Sequence, residues 1–113
     1  MLVLILCGAC SSTGGSSPEQ GGEVSVGEVF TQLREAVELA SSGEEGVAAE
    51  HCEQAMAQFE VRVEPKLKDA CGPLCTTAIE YELGRFRAQL EVSPVTAGAI
   101  LDDLDDRVKS ILE

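Results

Sequence analysis

The stretch SVGEVFTQLREAVELA, residues 25–40, contains the pattern that decides the fold. Its apolar side chains recur at steps of four, three, four and three, which places them on one face of a helix: Val26, Phe30, Leu33, Val37 and Ala40. Ser25 and Glu28 have the spacing of a capping box, in which each side chain accepts a hydrogen bond from the other residue's backbone N–H. The stretch therefore predicts an amphipathic helix that begins at Ser25 and stops at residues 41–43, Ser-Ser-Gly.

A second helix is expected directly after the first, because Ser42 and Glu45 repeat the capping-box spacing. Its apolar face comprises Ala48, Cys52, Ala55, Met56, Phe59 and Val63, so Cys52 is predicted to be buried. Residues 59–63 also alternate as a short strand would, but the longer upstream period favours a helix. Pro65 predicts a kink or an end, with either a kinked continuation or a separate short turn up to Gly72.

Two more helices complete the pattern. Pro73 suits the first position of a third helix, where its missing N–H costs nothing. The apolar stripe of that helix is Cys75, Ile79, Leu83, Phe86 and Leu90. Ser93 and Pro94 form a cap and a first turn, and the fourth stripe is Ala97, Leu101, Leu104, Val108 and Ile111. Short connections between amphipathic segments predict an all-α fold, a small antiparallel bundle of about four helices over residues 25–113.

Composition and charge limit the function classes. Aromatic residues make up only 4% of the chain, so the core must be mostly aliphatic, which suits helices better than a sandwich. The formal net charge is −12, and a surface of that sign repels phosphate backbones and anionic headgroups. We therefore predict no nucleic-acid partner, and any membrane attachment must come from a lipid. The acidity also has the plain interpretation that it keeps the domain soluble.

The N-terminal stretch carries a localisation signal. Residues 1–9 are almost wholly apolar and uncharged, Gly8 and Ala9 precede Cys10, and the Ser/Gly-rich run 11–17 follows. A run of this length is too short to span a bilayer, which needs roughly twenty residues, but it fits a signal peptide. The stretch resembles the signal of bacterial lipoproteins. The resemblance implies cleavage before Cys10, a diacylglycerol thioether on its sulfur and an acylated (palmitate-type) amine.

This resemblance covers only the first residues of the chain. Cys7 stands where the family usually has Leu, and no Lys or Arg precedes Arg34, so the true start is expected to lie upstream. A soluble secreted protein cut near Ala9 and a buried N-terminal element remain the alternatives. The expected organisation is a signal peptide at 1–9, a lipidated Cys10 with a flexible tether over 10–24, and an acidic helical domain at 25–113. In enterobacterial lipoproteins a residue other than Asp after the lipidated cysteine goes with outer-membrane sorting, so the resemblance implies that Ser11 directs this protein to the outer membrane if the source is Gram-negative.

Cys52, Cys71 and Cys75 remain as disulfide candidates in an export compartment, where disulfides persist. Three thiols allow one intramolecular bridge. We predict that Cys71 pairs with Cys75, because Gly72-Pro73 makes a straight helix between them improbable and a reversal can bring the two Cβ atoms together. The rival pairing joins Cys52 to Cys71 or Cys75 and requires a sharp reversal near Pro65.

The remaining polar clusters predict little chemistry. His51 with the three cysteines offers metal-ligand types, but only Cys71 and Cys75 have the spacing of a structural zinc pair. CGPLC, residues 71–75, is one residue too long for a thioredoxin-type motif. The carboxylates Asp102, Asp103, Asp105 and Asp106 follow a helix period and are interpreted as a solvated face.

These observations predict no catalytic residue, no metal and no cofactor. The favoured function is a non-enzymatic envelope lipoprotein with a protein-binding or structural role, its partner unknown. The alternative is a small metal-handling or thiol-redox lipoprotein that uses Cys52, Cys71 and Cys75.

Overall fold

The computed structural model describes residues 25–113, and every regular element within that range is a helix. The elements are α1 (Val26–Ser41), α2 (Glu45–Gln58), a π-helical turn (Phe59–Val63), α3 (Glu64–Val92) and α4 (Pro94–Leu112). The prediction of an all-α helical bundle is confirmed. Of the helices in residues 25–113, none combines the length and apolarity that a bilayer span requires.

The start of α1 confirms the first capping box. The Glu28 N–H donates to Ser25 Oγ over 3.1 Å, and the Ser25 N–H donates to Glu28 Oε1 over 3.0 Å. The helix ends in a turn at Gly43, whose φ of 87° lies in the left-handed region that disfavours a Cβ. The Glu44 N–H then closes the turn by donating to the Leu39 carbonyl over 2.9 Å.

The second capping box, predicted at Ser42 and Glu45, is wrong. The residue that caps α2 is Glu44, and it makes no side-chain cap hydrogen bond. Ser42 belongs to the end of α1 instead, where its hydroxyl donates to the Glu38 carbonyl over 2.9 Å. Because Gly43 turns the chain between Ser42 and α2, the serine hydroxyl serves the helix behind it rather than the one ahead.

The helix that starts at Glu45 continues through Pro65 up to Gly72, so the structure has the continuation rather than the separate short turn that was the other expectation. Residues 59–63 form a widened turn, in which the Glu64 N–H donates to the Phe59 carbonyl five residues earlier. In a regular α-helix the ring of Pro65 would collide with the carbonyl of Val61. The π-helical turn shifts that carbonyl, so the chain absorbs the proline without leaving the helix.

Gly72 makes the predicted break. Its φ of 85° and ψ of 173° are not helical, and they divide the long α3 into a part before Gly72 and a part that begins at Pro73. The chain reverses there, as shown by the ion pair between Glu53 of α2 and Arg87 of α3. Ser93 caps α4 as predicted, because its hydroxyl accepts from the Thr96 N–H over 3.3 Å.

The predicted stripes form the core with few exceptions. Phe86 is fully buried and Leu101 is 1% exposed, while the rings of Phe30 and Phe59 meet edge to face with centroids 6.3 Å apart. The fully or nearly fully buried aliphatic positions on the other elements include Leu33, Val63, Leu67, Ile79, Leu104 and Val108. Several predicted positions are only partly buried: Val26, Val37, Met56, Cys75 and Ile111.

Candidate functional site

Cys71 and Cys75 lie on either side of the reversal at Gly72. Their Sγ atoms are bonded, and their Cα atoms are 5.6 Å apart. This pairing fits the bridge predicted from the sequence. The reversal explains the geometry, because Gly72 leaves the helical region and brings together two residues that a straight helix would separate along its axis. Thr76 supports the turn, since its buried hydroxyl donates to the Gly72 carbonyl over 2.8 Å.

The reversal and the residues around it form a distinct surface, which we call the hairpin tip and define as residues 70–79. The tip contains no charged side chain, in a protein whose formal net charge is −12. Leu74 is 87% exposed, which is the highest value among the large exposed apolar side chains of residues 25–113. Ala70, Pro73, Thr77 and Ala78 are exposed beside it. The sequence analysis missed this feature, although the absence of charge over ten residues was a readable signal.

Cys52 lies in a different environment. It is 1% exposed and unbridged, which confirms the predicted burial. Burial, helped by the charge of Glu53, raises the pKa of the Cys52 thiol to about 11, so the thiol is protonated at neutral pH. It lines a cavity of about 110 Å³ whose apolar wall is formed by Ala40, Ala48, Ala49 and Leu90. A protonated and enclosed thiol of this kind is a poor nucleophile and a poor metal ligand.

The structure does not bring the three cysteines together. The chain from Cys52 to Cys71 is helical, so the two residues are separated by roughly 28 Å along the helix. The rival pairing of Cys52 with Cys71 or Cys75 is therefore absent from the structure. Within residues 25–113 no three His, Cys, Asp or Glu side chains are grouped as a metal site would require. His51 instead contacts Glu35 of α1, with Nε2 2.9 Å from Oε1.

The acidic run on α4 needs one correction. Asp102, Asp103 and Asp106 are exposed as predicted, but Asp105 is 5% exposed and belongs to the interface between α1 and α4. Its Oδ2 accepts from Arg34 over 2.8 Å and lies 3.5 Å from Lys109 Nζ.

The position of Asp105 follows from its place beside Leu104, at the edge of the apolar stripe. Its hydrogen bond with Arg34 is the main cause of a raised pKa for that guanidinium. The Oδ1 atom of Asp105 is buried without a partner among the described residues. The contacts of Asp105 with Arg34 join α1 to α4.

Cys10, the predicted lipidation site, lies outside the described residues. Comparisons with known proteins give no further indication, because no family model, no curated protein and no solved structure matches this chain significantly.

Proposed function

We propose that the protein is a bacterial envelope lipoprotein, anchored through a lipid on Cys10, whose helical domain has a non-enzymatic structural or protein-binding role. The observation that carries the proposal is the sequence Gly8-Ala9-Cys10 between an apolar run and a Ser/Gly-rich stretch. A thioether requires sulfur, and Cys10 is the cysteine that follows the two small residues. Several acyl chains on one residue anchor a protein stably, whereas a single chain binds only marginally.

The described domain supports this proposal through its chemistry. A bridge between Cys71 and Cys75 suits a protein that resides in an oxidising compartment. The free thiol of Cys52 is enclosed and its pKa is raised, and His51 is engaged by Glu35. The groups best suited to chemistry are thus used in packing and pairing, which favours a binding or structural role over catalysis.

Lipidation is tested by expressing the full chain, with an added upstream start if translation requires one, in a bacterial host. Intact mass and membrane fractionation are measured for the wild type, Cys10→Ala and Cys7→Ala. Cys7 is the matched control, because it lies three residues earlier and leaves with the signal. We expect the wild type and Cys7→Ala to share a lipidated mass and to fractionate with membranes, whereas Cys10→Ala loses both. A soluble wild type, or wild-type and Cys10→Ala masses that differ only by the sulfur atom that the substitution removes, contradicts the proposal.

The metal-handling or thiol-redox alternative is tested on the same preparation. A thiol count before and after reduction, together with a metal analysis, distinguishes the two functions. The proposed function predicts one free thiol before reduction, reactive only after unfolding, and no stoichiometric metal. Stoichiometric zinc or copper held by Cys52 with either other cysteine would favour the alternative.

A further inference from the structure

The position of the hairpin tip relative to the start of α1 is fixed by helix pairing. The ring of Phe30 on α1 packs against Phe59 at the end of α2, and these two helices run antiparallel. Five residues before Phe30 the chain is at Ser25, and five residues after Phe59 it is at Glu64. Ser25 and Glu64 therefore lie at the same level along the helix axes. The helix continues for seven residues from Glu64 to Cys71, which places the tip about 10 Å beyond the level of Ser25. The chain that leads to Cys10 therefore joins the domain at the same end as the tip.

The length of that connection limits how far the tip can lie from a lipid on Cys10. Residues 10–24 lie outside the described residues, and a Ser/Gly-rich coil of that length has a root-mean-square end-to-end distance of about 20 Å. The tip already extends about half of that distance beyond Ser25. An anchor on Cys10 thus holds the tip, rather than the opposite end of the domain, next to the membrane surface.

The side chains of the tip match such a surface. Leu74 projects from an uncharged segment, whereas the rest of the domain carries the negative charge that headgroups repel. Tyr81 is 68% exposed and follows Leu74 by seven residues, so it lies on the same helix face about 10 Å further back. Tyrosine at that depth is typical of the membrane–water interface. The part of α3 before Gly72 carries both signs of charge: Lys66, Lys68 and Asp69 are exposed, and Lys68 Nζ lies 3.9 Å from Glu64 Oε1.

We propose that the hairpin tip inserts Leu74 into the interfacial region of the bilayer that holds the lipid on Cys10, an inference that rests on the proposed lipidation. The bridge between Cys71 and Cys75 keeps the reversal closed, so the exposed leucine is presented on a rigid loop. The domain is then oriented by two contacts, the lipid and the tip. Its opposite end, which includes Val92 and Val95, faces away from the membrane.

The test uses tryptophan fluorescence, because the natural chain contains no tryptophan. Leu74→Trp places an indole at the tip, and Val95→Trp places the matched control at the far end, where Val95 is 84% exposed. Helical rise separates position 74 from Val92 by about 27 Å, so the two probes report on opposite ends. The full lipidated protein is reconstituted in phosphatidylcholine vesicles with and without lipids brominated on their acyl chains.

We expect both variants to sediment with the vesicles. The indole at position 74 should emit at shorter wavelength and be quenched severalfold more by brominated lipid than the indole at position 95. Aqueous acrylamide should quench the two in the reverse order. A third comparison uses Thr77→Trp with and without Leu74→Asp. Both proteins should sediment with the vesicles, but acrylamide should quench the indole at position 77 more strongly when Leu74→Asp is present.

Each other outcome overturns the inference in an identifiable way. Sedimentation with equal aqueous quenching at both positions would mean that the lipid anchors the protein while the tip remains in water, open to a protein partner. If the wild type did not sediment with the vesicles, the proposed lipidation would be wrong, and so would the bilayer contact that rests on it. Deep quenching at position 95 alone would reverse the proposed orientation.

Discussion

The two ends of the domain share a glycine turn but place a cysteine in different surroundings. The tip end includes the hairpin tip and Ser25, and the connection end includes the turns at Gly43 and Ser93. Each end has a glycine with positive φ, 87° at Gly43 and 85° at Gly72. Cysteine is bridged at the tip but enclosed as a thiol two turns into α2. The position of a cysteine relative to a chain reversal therefore decides whether it forms a bridge or stays a buried thiol.

The largest expected difference concerns one leucine from each end. Leu90 is 3% exposed beside Cys52, so Leu90→Ala should lower the free energy of unfolding by about 2–5 kcal/mol. Leu74→Ala removes the same atoms from a side chain that is 87% exposed. It should change the free energy of unfolding by less than about 0.5 kcal/mol. Urea denaturation of both variants measures the difference. Equal losses would mean that the tip leucine is packed in solution.

A pH-dependent difference is expected between the two cysteine sites. The pKa of Cys52 rises to about 11 in the folded protein, above its ordinary value near 9, so the unfolded chain loses this proton first as the pH increases. The contribution is fully present below pH 9 and is lost between pH 9 and 11, by about 2 kcal/mol.

Cys52→Ala isolates this effect, because every other side chain is common to the two proteins. The unfolding free energy of the wild type should fall more steeply from pH 9 to 11 than that of the variant. Parallel curves would show that folding does not raise the pKa of the Cys52 thiol. The bridged pair at the tip has no thiol that titrates.

Removal of the bridge between Cys71 and Cys75 should lower the free energy of unfolding by a similar amount. The loop between Cys71 and Cys75 is short, and the chain-entropy model gives a stabilisation of about 2 kcal/mol. The double variant Cys71→Ser with Cys75→Ser should lose this amount in denaturant unfolding, whereas reductant should have no further effect on it. If reductant did not change the stability of the wild type, the pairing of Cys71 with Cys75 would be contradicted. Peptide mapping under non-reducing conditions would then locate the bridge.

The smallest expected difference separates two serines with the same sequence signature. Ser25→Ala removes an N-cap hydrogen bond and should cost about 1 kcal/mol. Ser42 has the same position in its Ser-x-x-Glu motif, but its hydroxyl caps no helix start. Ser42→Ala should therefore lower the free energy of unfolding by only a few tenths of that amount. A thermal unfolding series compares the two. Equal losses of stability would show that Ser42 caps α2, as the sequence pattern predicted.

The helix content of this protein was predictable because its determinants are local. The cap at Ser25, the turn at Gly43, the break at Gly72 and the cap at Ser93 each depend on neighbouring residues, and the apolar stripes repeat within single helices. The burial of Cys52 and the core position of Phe86 follow from the same periodicity. Local hydrogen bonding and the 3.6-residue period therefore determined the elements and their inner faces.

What the local pattern did not contain was decided by packing. Pro65 ends a helix in isolation, but a π-helical turn and the burial of Leu67 beyond it keep the helix continuous. Asp105 resembles its exposed neighbours until α1 brings Arg34 against it. The placement of an uncharged tip beside the start of α1 depends on antiparallel pairing over many residues. Sequence alone fixes which face of each helix is apolar, whereas only tertiary structure decides which polar groups meet, because those partners are distant in the chain.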